Sequence, residues 1–530
     1  MELSPKAGQP SDLLEARVVE HREKRAGLSE RESNDESESR GRAFFVATVA
    51  LFAVPAIFAL TTFPPYYEDE SWLYLAVFEH LRGNGFSWAA FNQGSSIFAT
   101  FNAIGAALFA VSPFAPETTI RLISFLFGLC CLVGIYLLAR PIAGTSAYVA
   151  PLLLTLTPWF AKIRFGRMDG VALAFAIWAL VAATRGFPFL AGILSGLAGG
   201  IHPIFVWTGA VCIVLIAYTR HWRRLWHYVL GAVIGILPQL AWLGAHMADF
   251  RSIAAHYFVT SSVSHGWLAW LGSLAGEWKR YASVAAGIPA LVLLPFVIRG
   301  ISRARDGERA VLITLAIAPV LSLAFLVQGK NPYYFVLYAL PALAVVAAAG
   351  VRGLPNRPTQ LICIAALCGC GIFYAYKTRT AAGLPTVSRS VELLAAKIPA
   401  HAVAFSPLIY GSLIVRRPDV QLFTLHALSR REGWYLPACS ELPAKIRTLL
   451  EHDPRPTSHN AEENPGEVFF VLGPGPSEGA FLWYLKQIYA DATPADLQCL
   501  VGPQPAVPIH VCGSDPAKCT NIYLVQRPLQ

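Results

Sequence analysis

The sequence predicts an all-α polytopic membrane domain of about eleven transmembrane helices, followed by a C-terminal extracytoplasmic α/β domain. Only 14% of the 530 residues are charged and 55% are hydrophobic, whereas a soluble protein carries roughly 25% charged residues. The mean hydropathy is +0.48. Apolar runs of bilayer length recur between residues 43 and 376, and from 377 onward charged residues, Pro and Gly return. Lipid is therefore the expected surroundings of most of the chain.

Residues 1–42 are polar and rich in Glu, Arg and Ser, which predicts a disordered cytoplasmic tail. Arg40 and Arg42 stand directly before the first apolar run, as the positive-inside rule expects. The formal net charge of +9 comes from short basic clusters between apolar runs. That distribution is typical of cytoplasmic loops and excludes nucleic-acid binding.

Eleven apolar runs predict the spans. They are 43–62, 120–139, 143–160, 168–184, 187–202, 203–219, 226–246, 281–299, 309–327, 333–350 and 359–376. With the N-terminus inside, the connections 218–224, 299–305 and 352–357 are inside and basic, as expected. An odd number of spans places the C-terminal region outside. The split at His202-Pro203 is decisive, because a single span there would invert everything that follows.

The first outer segment, 63–118, is longer than a turn and contains two stretches of helical character, 71–82 and 95–111. Their apolar faces predict helices that lie along the membrane surface. The alternative for the second stretch is a further span.

The C-terminal domain is expected over 377–530. Short β-type runs at 402–405, 467–472 and 522–525 alternate with helix-like stretches at 388–398 and 479–489.

Four of the ten cysteines, Cys439, Cys499, Cys512 and Cys519, belong to this exported region, where disulfides form. Two disulfides are expected, with the pairing open, and Cys512–Cys519 is a plausible short loop. The other six lie inside apolar runs, where a thiol is mostly a small packing group.

Carboxylates are scarce between 43 and 377, yet Glu68, Asp69 and Glu70 form a run directly after the first span. Adjacent carboxylates repel, which raises the pKa of one of them and suits a general base or a metal ligand. The alternative is a helix start, in which Asp69 caps and Glu70 favours the positive end of the helix dipole.

Asp169 is an isolated carboxylate at the outer end of a span, preceded by the basic residues Lys162, Arg164 and Arg167. The positive-inside rule predicts few cations on this face, so the patch indicates an anionic ligand such as a lipid phosphate. The alternatives are that Asp169 caps its helix, or pairs with Arg164 or Arg167 in a structural network.

Lys330, Tyr333 and Tyr334 form a third outer-face element before another span. Lys330 could reach a phosphate as a point charge, whereas the tyrosines alone would be interfacial residues. Arg121 and His202 are further candidates. Their alternatives are an interfacial anchor for Arg121 and a helix-end residue for His202.

The ordered set of these motifs resembles the polytopic, lipid-phosphosugar-dependent glycosyltransferases of the C superfamily (GT-C). The likeness is greatest to bacterial aminoarabinose lipid A transferases and protein O-mannosyltransferases. The stretches that carry it are the Asp69-Glu70 pair, 121–128, 164–169, 196–203 and 330–341, and the resemblance covers roughly 50–380.

The resemblance implies hexosyl or pentosyl transfer from a polyprenyl-phosphate sugar to an extracytoplasmic acceptor, with inversion, at a bacterial inner membrane. It implies that Asp69 is the base, with Glu70 and Asp169 beside it as further catalytic residues. A divalent metal ion held by Asp69 and Asp169 is implied by some relatives. Tyr74, His202, Tyr333 and Tyr334 are assigned to the substrate, and Lys162, Arg164, Arg167 and Lys330 to the donor phosphate.

Two positions depart from the family pattern. Relatives often carry Arg two residues after the acidic pair, where this chain has Trp72, and Lys near the fifth span, where it has His202. Two other functions stay open: a transporter or flippase of a lipid-linked saccharide, and a non-catalytic assembly scaffold. A transporter should show polar residues near span midpoints, and most of these spans are clean.

Overall fold

The computed structural model describes residues 38–57, 60, 99–156, 168–247, 290–326, 338–381, 386–451 and 467–528, with shorter gaps within these ranges, together with residue 272. The predicted tail up to residue 37, the stretch 71–82 and nearly all of 479–489 lie outside the described residues.

Helices dominate the described chain as far as residue 381. In chain order they are α1 (Glu38–Ile57), α2 (Ala99–Val111), α3 (Pro116–Ala143), α4 (Val149–Thr155), α5 (Met168–Thr184), α6 (Pro188–Ile201), α7 (Trp207–Tyr218), α8 (Leu225–Ala245), α9 (Ala290–Arg303), α10 (Asp306–Leu326), α11 (Leu340–Val351) and α12 (Asn356–Ala381).

Four helices among the described residues are long and apolar enough to cross a membrane, and they correspond to α1, α3, α8 and α10. The apolar helices α5, α6, α7 and α11 are shorter, at 17, 14, 12 and 12 residues. At 1.5 Å per residue, even α5 is about 25 Å long, less than the roughly 30 Å hydrocarbon core. Proline stands at the start of α6 and α11 and just before α7, where it limits the helix.

Two pairs of glycines bring α6 and α8 into backbone contact. A Cβ at Gly192 would lie 2.1 Å from Tyr228 O, and one at Gly196 would lie 2.3 Å from Ala232 O. On the other helix, a Cβ at Gly231 or Gly235 would meet a backbone oxygen of α6 at 2.2 Å. Each helix therefore carries a Gly-x-x-x-Gly face, the pattern that lets membrane helices approach closely.

The register of this contact shows that α6 and α8 run parallel. Gly192 lies beside Tyr228, Gly196 beside Ala232, and Gly200 beside Gln239. Parallel neighbours require the chain to turn back between them, and it does so at His202, where the backbone is extended and α6 ends. The break expected at His202-Pro203 is therefore present, with α7 as the returning helix.

Arginines gather at one end of the helices. Arg42 and Arg140 both contact Glu38, and Arg352 donates to Ile142 O at 3.1 Å. We call Arg42, Arg140 and Arg352 the arginine end. Because Arg352 directly follows α11, the start of that helix lies at the opposite end.

The C-terminal part contains a five-stranded sheet with the order β2-β1-β3-β5-β4. Its strands are β1 (Val403–Ser406), β2 (Gln421–Thr424), β3 (Glu467–Gly475), β4 (Val507–Cys512) and β5 (Cys519–Pro528). β1 pairs in parallel with β2 and β3, whereas β5 pairs antiparallel with β3 and β4. Its helices are α13 (Val387–Lys397), α14 (Leu413–Arg416), α15 (Leu442–Glu451) and α16 (Pro494–Val501).

The runs predicted at 402–405, 467–472 and 522–525 fall on β1, β3 and β5, while β2 and β4 had no prediction. β2, Gln421-Leu-Phe-Thr424, does not alternate apolar and polar residues, and β4 carries Pro508, a residue that strand interiors disfavour. Cys439 is bonded to Cys499, and Cys512 to Cys519 across the β4–β5 hairpin.

Arg417 joins the end of α13 to the entry of β2. Its guanidinium donates to Asp419 Oδ1 at 2.8 Å and Oδ2 at 2.7 Å, and to the carbonyls of Ile398 and Pro399. The hydrogen bond from Arg417 lowers the pKa of Asp419 from 3.8 to about 2. This fork satisfies the carbonyl of Ile398, the residue that caps the C-terminal end of α13, and Arg417 also donates to the carbonyl of Ala395 in the last turn of that helix.

We predict that Gly196→Ala and Gly235→Ala destabilise the protein, because each new Cβ would force α6 and α8 apart. Overpacking of this kind costs about 1–3 kcal/mol. Gly199→Ala is the matched control on the same helix, since nothing lies within 4 Å of its Cβ position. Thermal unfolding of the detergent-purified protein, followed by tryptophan fluorescence, gives the comparison. Equal midpoints for Gly196→Ala and Gly199→Ala would contradict the close contact.

We also predict that the Arg417–Asp419 pair stabilises the sheet region in a pH-dependent way. The folded pKa of Asp419 lies below its ordinary value, so the contribution is complete above about pH 4 and disappears as the pH falls toward 2. Asp419→Asn should lower stability at pH 6 by about 1 kcal/mol, since solvent screens a partly exposed pair. The gap from wild type should close near pH 2 in thermal unfolding. A gap that is independent of pH would show that the charge of Asp419 is not responsible.

Candidate active site

Asp169 is a carboxylate enclosed by protein. It is the second residue of α5 and is only 1% exposed, in a helix whose other residues are apolar, Gly or Thr. The positive end of a helix dipole favours a carboxylate in the first turn. Burial of an ionised carboxylate is nevertheless costly without hydrogen-bond donors, so its partners decide what it does.

Tyr338 supplies one of these partners. Its hydroxyl donates to Asp169 Oδ1 and lies 3.2 Å from His202 Nε2. Tyr338 is fully buried and stands two residues before α11 begins. The three residues therefore come from three different helix ends, and we call them the Asp169–Tyr338–His202 cluster.

The tautomer of His202 follows from its other contact. Its Nδ1 accepts from the backbone N–H of Ile204 at 3.3 Å, so a neutral ring carries its proton on Nε2. The direction of donation is then from His202 Nε2 to the Tyr338 hydroxyl, and from that hydroxyl to Asp169. The short helix Pro203–Val206 fixes the imidazole through this Ile204 contact.

Aromatic packing closes one side of the cluster. The Phe205 ring meets the Tyr338 ring edge-on at 5.2 Å, and the His202 ring lies 5.1 Å from that of Tyr338. Asp169 and Tyr338 are buried, whereas His202 is partly exposed. The Tyr338 hydroxyl therefore restrains Asp169 from within the protein, and the His202 side of the cluster is partly exposed.

The structure brings together two of the residues that the sequence singled out, Asp169 and His202. Arg121 is buried on α3, at 4% exposure. The remaining candidates lie outside the described residues. They are Asp69, Glu70, Tyr74, Lys162, Arg164, Arg167, Lys330, Tyr333 and Tyr334.

Tyr338 was not singled out from the sequence. It stands in an apolar run just after Tyr333 and Tyr334, where a tyrosine is expected at the membrane interface. Tyr338 is three residues before Pro341 in the sequence, and because proline favours the first turn of a helix, Tyr338 is expected just before α11. A tyrosine hydroxyl that is buried at such a position requires a hydrogen-bond partner. These two features are the signals in the sequence that point to Tyr338.

A metal site cannot be completed from the described residues, which contain no group of three His, Cys, Asp or Glu side chains placed to hold an ion. Asp169 contributes one carboxylate. Carboxylate oxygens suit a hard divalent cation, so the predicted pair with Asp69 fits such an ion chemically.

Comparison with solved structures shows that the chain shares its fold with ArnT from Cupriavidus metallidurans. ArnT from Cupriavidus metallidurans bound to undecaprenyl phosphate is 15% identical, with a TM-score of 0.54 over 91% of this chain and 97% of that chain. The apo state of the same protein gives 14% identity and a TM-score of 0.52 over the same shares. At this identity the likeness concerns the fold.

The Archaeoglobus fulgidus oligosaccharyltransferase in complex with Zn and sulfate is 14% identical, with a TM-score of 0.46 over 80% of this chain and 67% of that chain. The comparison with curated proteins gives no match.

The family comparison is more specific than the fold. The model of glycosyltransferase family 87 matches residues 100–370, which is more than half of the chain and includes the whole Asp169–Tyr338–His202 cluster. The expected resemblance to the GT-C superfamily is thereby confirmed, and the protein is a multi-pass membrane glycosyltransferase. The chain belongs to glycosyltransferase family 87.

Proposed function

We propose that this glycosyltransferase transfers a sugar from a polyprenyl-phosphate donor to an extracytoplasmic acceptor, with inversion at the sugar C1. The observation that carries the proposal is the buried Asp169–Tyr338–His202 cluster, which lies within the family 87 match at the end of α11 opposite Arg352. The ArnT structure of similar fold contains undecaprenyl phosphate. A lipid-linked donor fits a protein whose catalytic helices lie in the bilayer.

The arginine end supports an orientation in the membrane. By the positive-inside rule it faces the cytoplasm, so the cluster lies toward the outer face. We propose eleven spans in a bacterial inner membrane, with 1–42 as a cytoplasmic tail. The catalytic membrane domain is 43–376, with 63–118 as an outer loop, and 377–530 forms an extracytoplasmic α/β domain. The disulfides Cys439–Cys499 and Cys512–Cys519 fit an oxidising compartment.

In the proposed reaction, Asp69 takes the proton of the acceptor hydroxyl, whose oxygen forms a bond to C1 of the sugar. The bond from C1 to the phosphate oxygen breaks, and polyprenyl phosphate leaves with the electron pair. Lys162, Arg164, Arg167 and Lys330 are the cations assigned to the leaving phosphate, whose charge they would stabilise. Glu70 orients Asp69, and Tyr74, Tyr333 and Tyr334 contact the substrates.

The cluster contributes a fixed negative charge to this site. Tyr338 restrains Asp169, and His202 at the partly exposed end contacts substrate or solvent. A divalent ion held by Asp69 and Asp169 would supply further neutralisation of the phosphate when bound.

We predict that Asp69→Asn abolishes transfer, because an amide cannot accept the acceptor's proton. Loss of a general base typically costs about 10²–10⁴-fold in rate. Membranes are supplied with radiolabelled polyprenyl-phosphate pentoses and hexoses, and with nucleotide sugars for comparison. Asp306→Asn is the matched control, since its side chain is 99% exposed near the start of α10.

The outcomes separate the competing functions. Transfer only from a nucleotide sugar would contradict the proposed polyprenyl-phosphate donor, although the protein would still be a glycosyltransferase. Folded wild-type protein that transfers from no donor, yet moves a lipid-linked saccharide across vesicle membranes, would favour the transporter. Full activity in Asp69→Asn would remove Asp69 from the mechanism.

We predict that Tyr338→Phe lowers transfer about 10–100-fold, since Asp169 then loses a donor and the ring of His202 loses its link to it. Tyr228→Phe is the matched control. It removes a buried tyrosine hydroxyl that donates to Ser195 at 3.0 Å, without touching the cluster. Steady-state rates of both variants, compared at equal amounts of folded protein, test the assignment. Equal losses would mean that removing any buried tyrosine hydroxyl has this effect, and would contradict a specific role for the link from Tyr338 to Asp169.

A further inference from the structure

A pocket of about 340 Å³, open on one side, lies at the arginine end of the helices. Its walls come from the starts of α1 and α12, the end of α11 and the turn between α3 and α4. Val351, the last residue of α11, lines the pocket, whereas Tyr338 stands just before the other end of that helix. The pocket is therefore separate from the Asp169–Tyr338–His202 cluster.

The polar side chains that line this pocket suit an anion. They are a guanidinium, three hydroxyls and an amide, from Arg40, Thr145, Ser146, Thr359 and Gln360. Each of these groups can donate a hydrogen bond, and none of the described residues that line the pocket is acidic. A guanidinium has five N–H donors, so Arg40 can bind phosphate oxygens through two parallel hydrogen bonds and still keep other contacts.

The neighbouring arginines add positive charge. Glu38 contacts both Arg42 and Arg140, so two guanidinium groups share one carboxylate. Arg352, which directly follows the lining residue Val351, donates to a backbone carbonyl. The charge of these residues together is positive, which favours an anionic lipid headgroup over one that carries a quaternary ammonium.

Packing contacts fix one wall of the pocket. The rings of Phe44 and Tyr148 stack with their centroids 4.9 Å apart, which joins α1 to the residue before α4. A Cβ at Gly41 would lie only 3.2 Å from Thr145 O, so α1 lies directly against the turn after α3. A site held by such contacts is formed before its ligand arrives, which lowers the cost of binding.

The helices α1 and α12 run side by side away from this pocket. Both begin there, and a Cβ at Gly371 would lie 3.9 Å from Leu51 Cδ1, about 20 Å along each helix. The two helices also expose apolar side chains, since Val46 is 64%, Leu361 66% and Ile362 70% exposed. Such faces suit acyl chains. A ligand with a phosphate at one end and apolar chains below it therefore fits this place better than a free anion.

We propose that this pocket is a binding site for an anionic phospholipid. Arg40 and the hydroxyls of Thr145 and Ser146 bind its phosphate, and its acyl chains lie along α1 and α12. The bound lipid links these two helices, whose starts are far apart in the chain. The inference does not depend on which donor or acceptor the enzyme uses.

The test measures lipid binding to the full-length protein purified in detergent. Native mass spectrometry with increasing amounts of palmitoyl-oleoyl phosphatidylglycerol or phosphatidylcholine gives the dissociation constant of the first lipid that binds. Arg40→Gln removes the guanidinium, whereas Ser146→Leu fills the pocket and leaves every charge in place. Arg303→Gln is the matched control, because Arg303 is an exposed arginine in the last turn of α9 and does not line the pocket. Thermal midpoints without added lipid show whether each variant is folded.

We expect wild type to bind phosphatidylglycerol at least about tenfold more tightly than phosphatidylcholine. Arg40→Gln and Ser146→Leu should each weaken phosphatidylglycerol binding about tenfold or more, because charge-assisted hydrogen bonds are lost or the pocket is filled. Arg303→Gln should change it by less than about twofold, since solvent screens an exposed charge. Phosphatidylglycerol with a photoreactive diazirine in an acyl chain should label peptides of α1 and α12 in wild type but not in Arg40→Gln.

Soluble probes decide the source of the phosphate group. Inorganic phosphate and glycerol 3-phosphate should displace the lipid only at concentrations about 100-fold or more above it, because they lack the acyl chains. Displacement at equal concentrations would contradict a lipid site and assign the pocket to a soluble phosphate.

Equal phosphatidylglycerol binding by wild type and Arg40→Gln would overturn the proposal. So would an equal loss in Arg303→Gln, because that result indicates general attraction of an anion to a positive surface. If Arg40→Gln does not fold, Ser146→Leu decides. Weaker binding with a normal thermal midpoint then supports the pocket, and unchanged binding contradicts it.

Discussion

The close approach of α6 and α8 is the constraint on which much of the membrane part depends. Lipid offers no hydrophobic drive between apolar helices, so their association relies on contact between surfaces that fit. The glycine faces of these two helices let their backbones touch, which fixes them side by side and parallel. Parallel neighbours force the chain to turn at His202, and that turn presents the imidazole to Tyr338. The position of the His202 side chain thus follows from the absence of side chains at Gly196 and Gly192, about two and three helical turns earlier.

The buried polar groups near this turn are mutually dependent. Asp169, Tyr338 and His202 come from segments far apart in sequence, and each supplies a hydrogen-bond partner that another requires. Thr100 and Gln239 repeat the arrangement a short distance away. In an apolar interior, a half-satisfied polar network is worse than none, so such groups specify one arrangement of the surrounding helices. The irregular backbone at His202 is tolerated because its N–H donates to Ala198 O and its carbonyl accepts from the N–H of Phe205.

The sequence predicts those features of the fold and of the candidate site that depend on neighbouring residues in the chain. Apolar runs mark helices, Pro203 marks a break, and a lone carboxylate at a helix start marks Asp169 as unusual. The sequence also indicates the GT-C resemblance, because several weak motifs occur in the same order along the chain as in that superfamily. The sequence does not identify Tyr338 and Gln239, because the partner of a single polar group within an apolar run depends on which helices pack together. The contacts between the glycine pairs of α6 and α8 are likewise tertiary. The four residues of β2 do not alternate between apolar and polar, and Pro508 argues against a strand where β4 lies.

The position of α11 has a consequence for the order in which the protein matures. All of its residues except Leu343 are buried, and its neighbours α3, α4, α9 and α10 all precede it in the chain. During synthesis those helices leave the ribosome first, so the surfaces against which α11 packs are made before α11 itself. Tyr338 is made with α11, whereas Asp169 and His202 are made much earlier. The cluster can therefore be completed only after most of the membrane part has been synthesised.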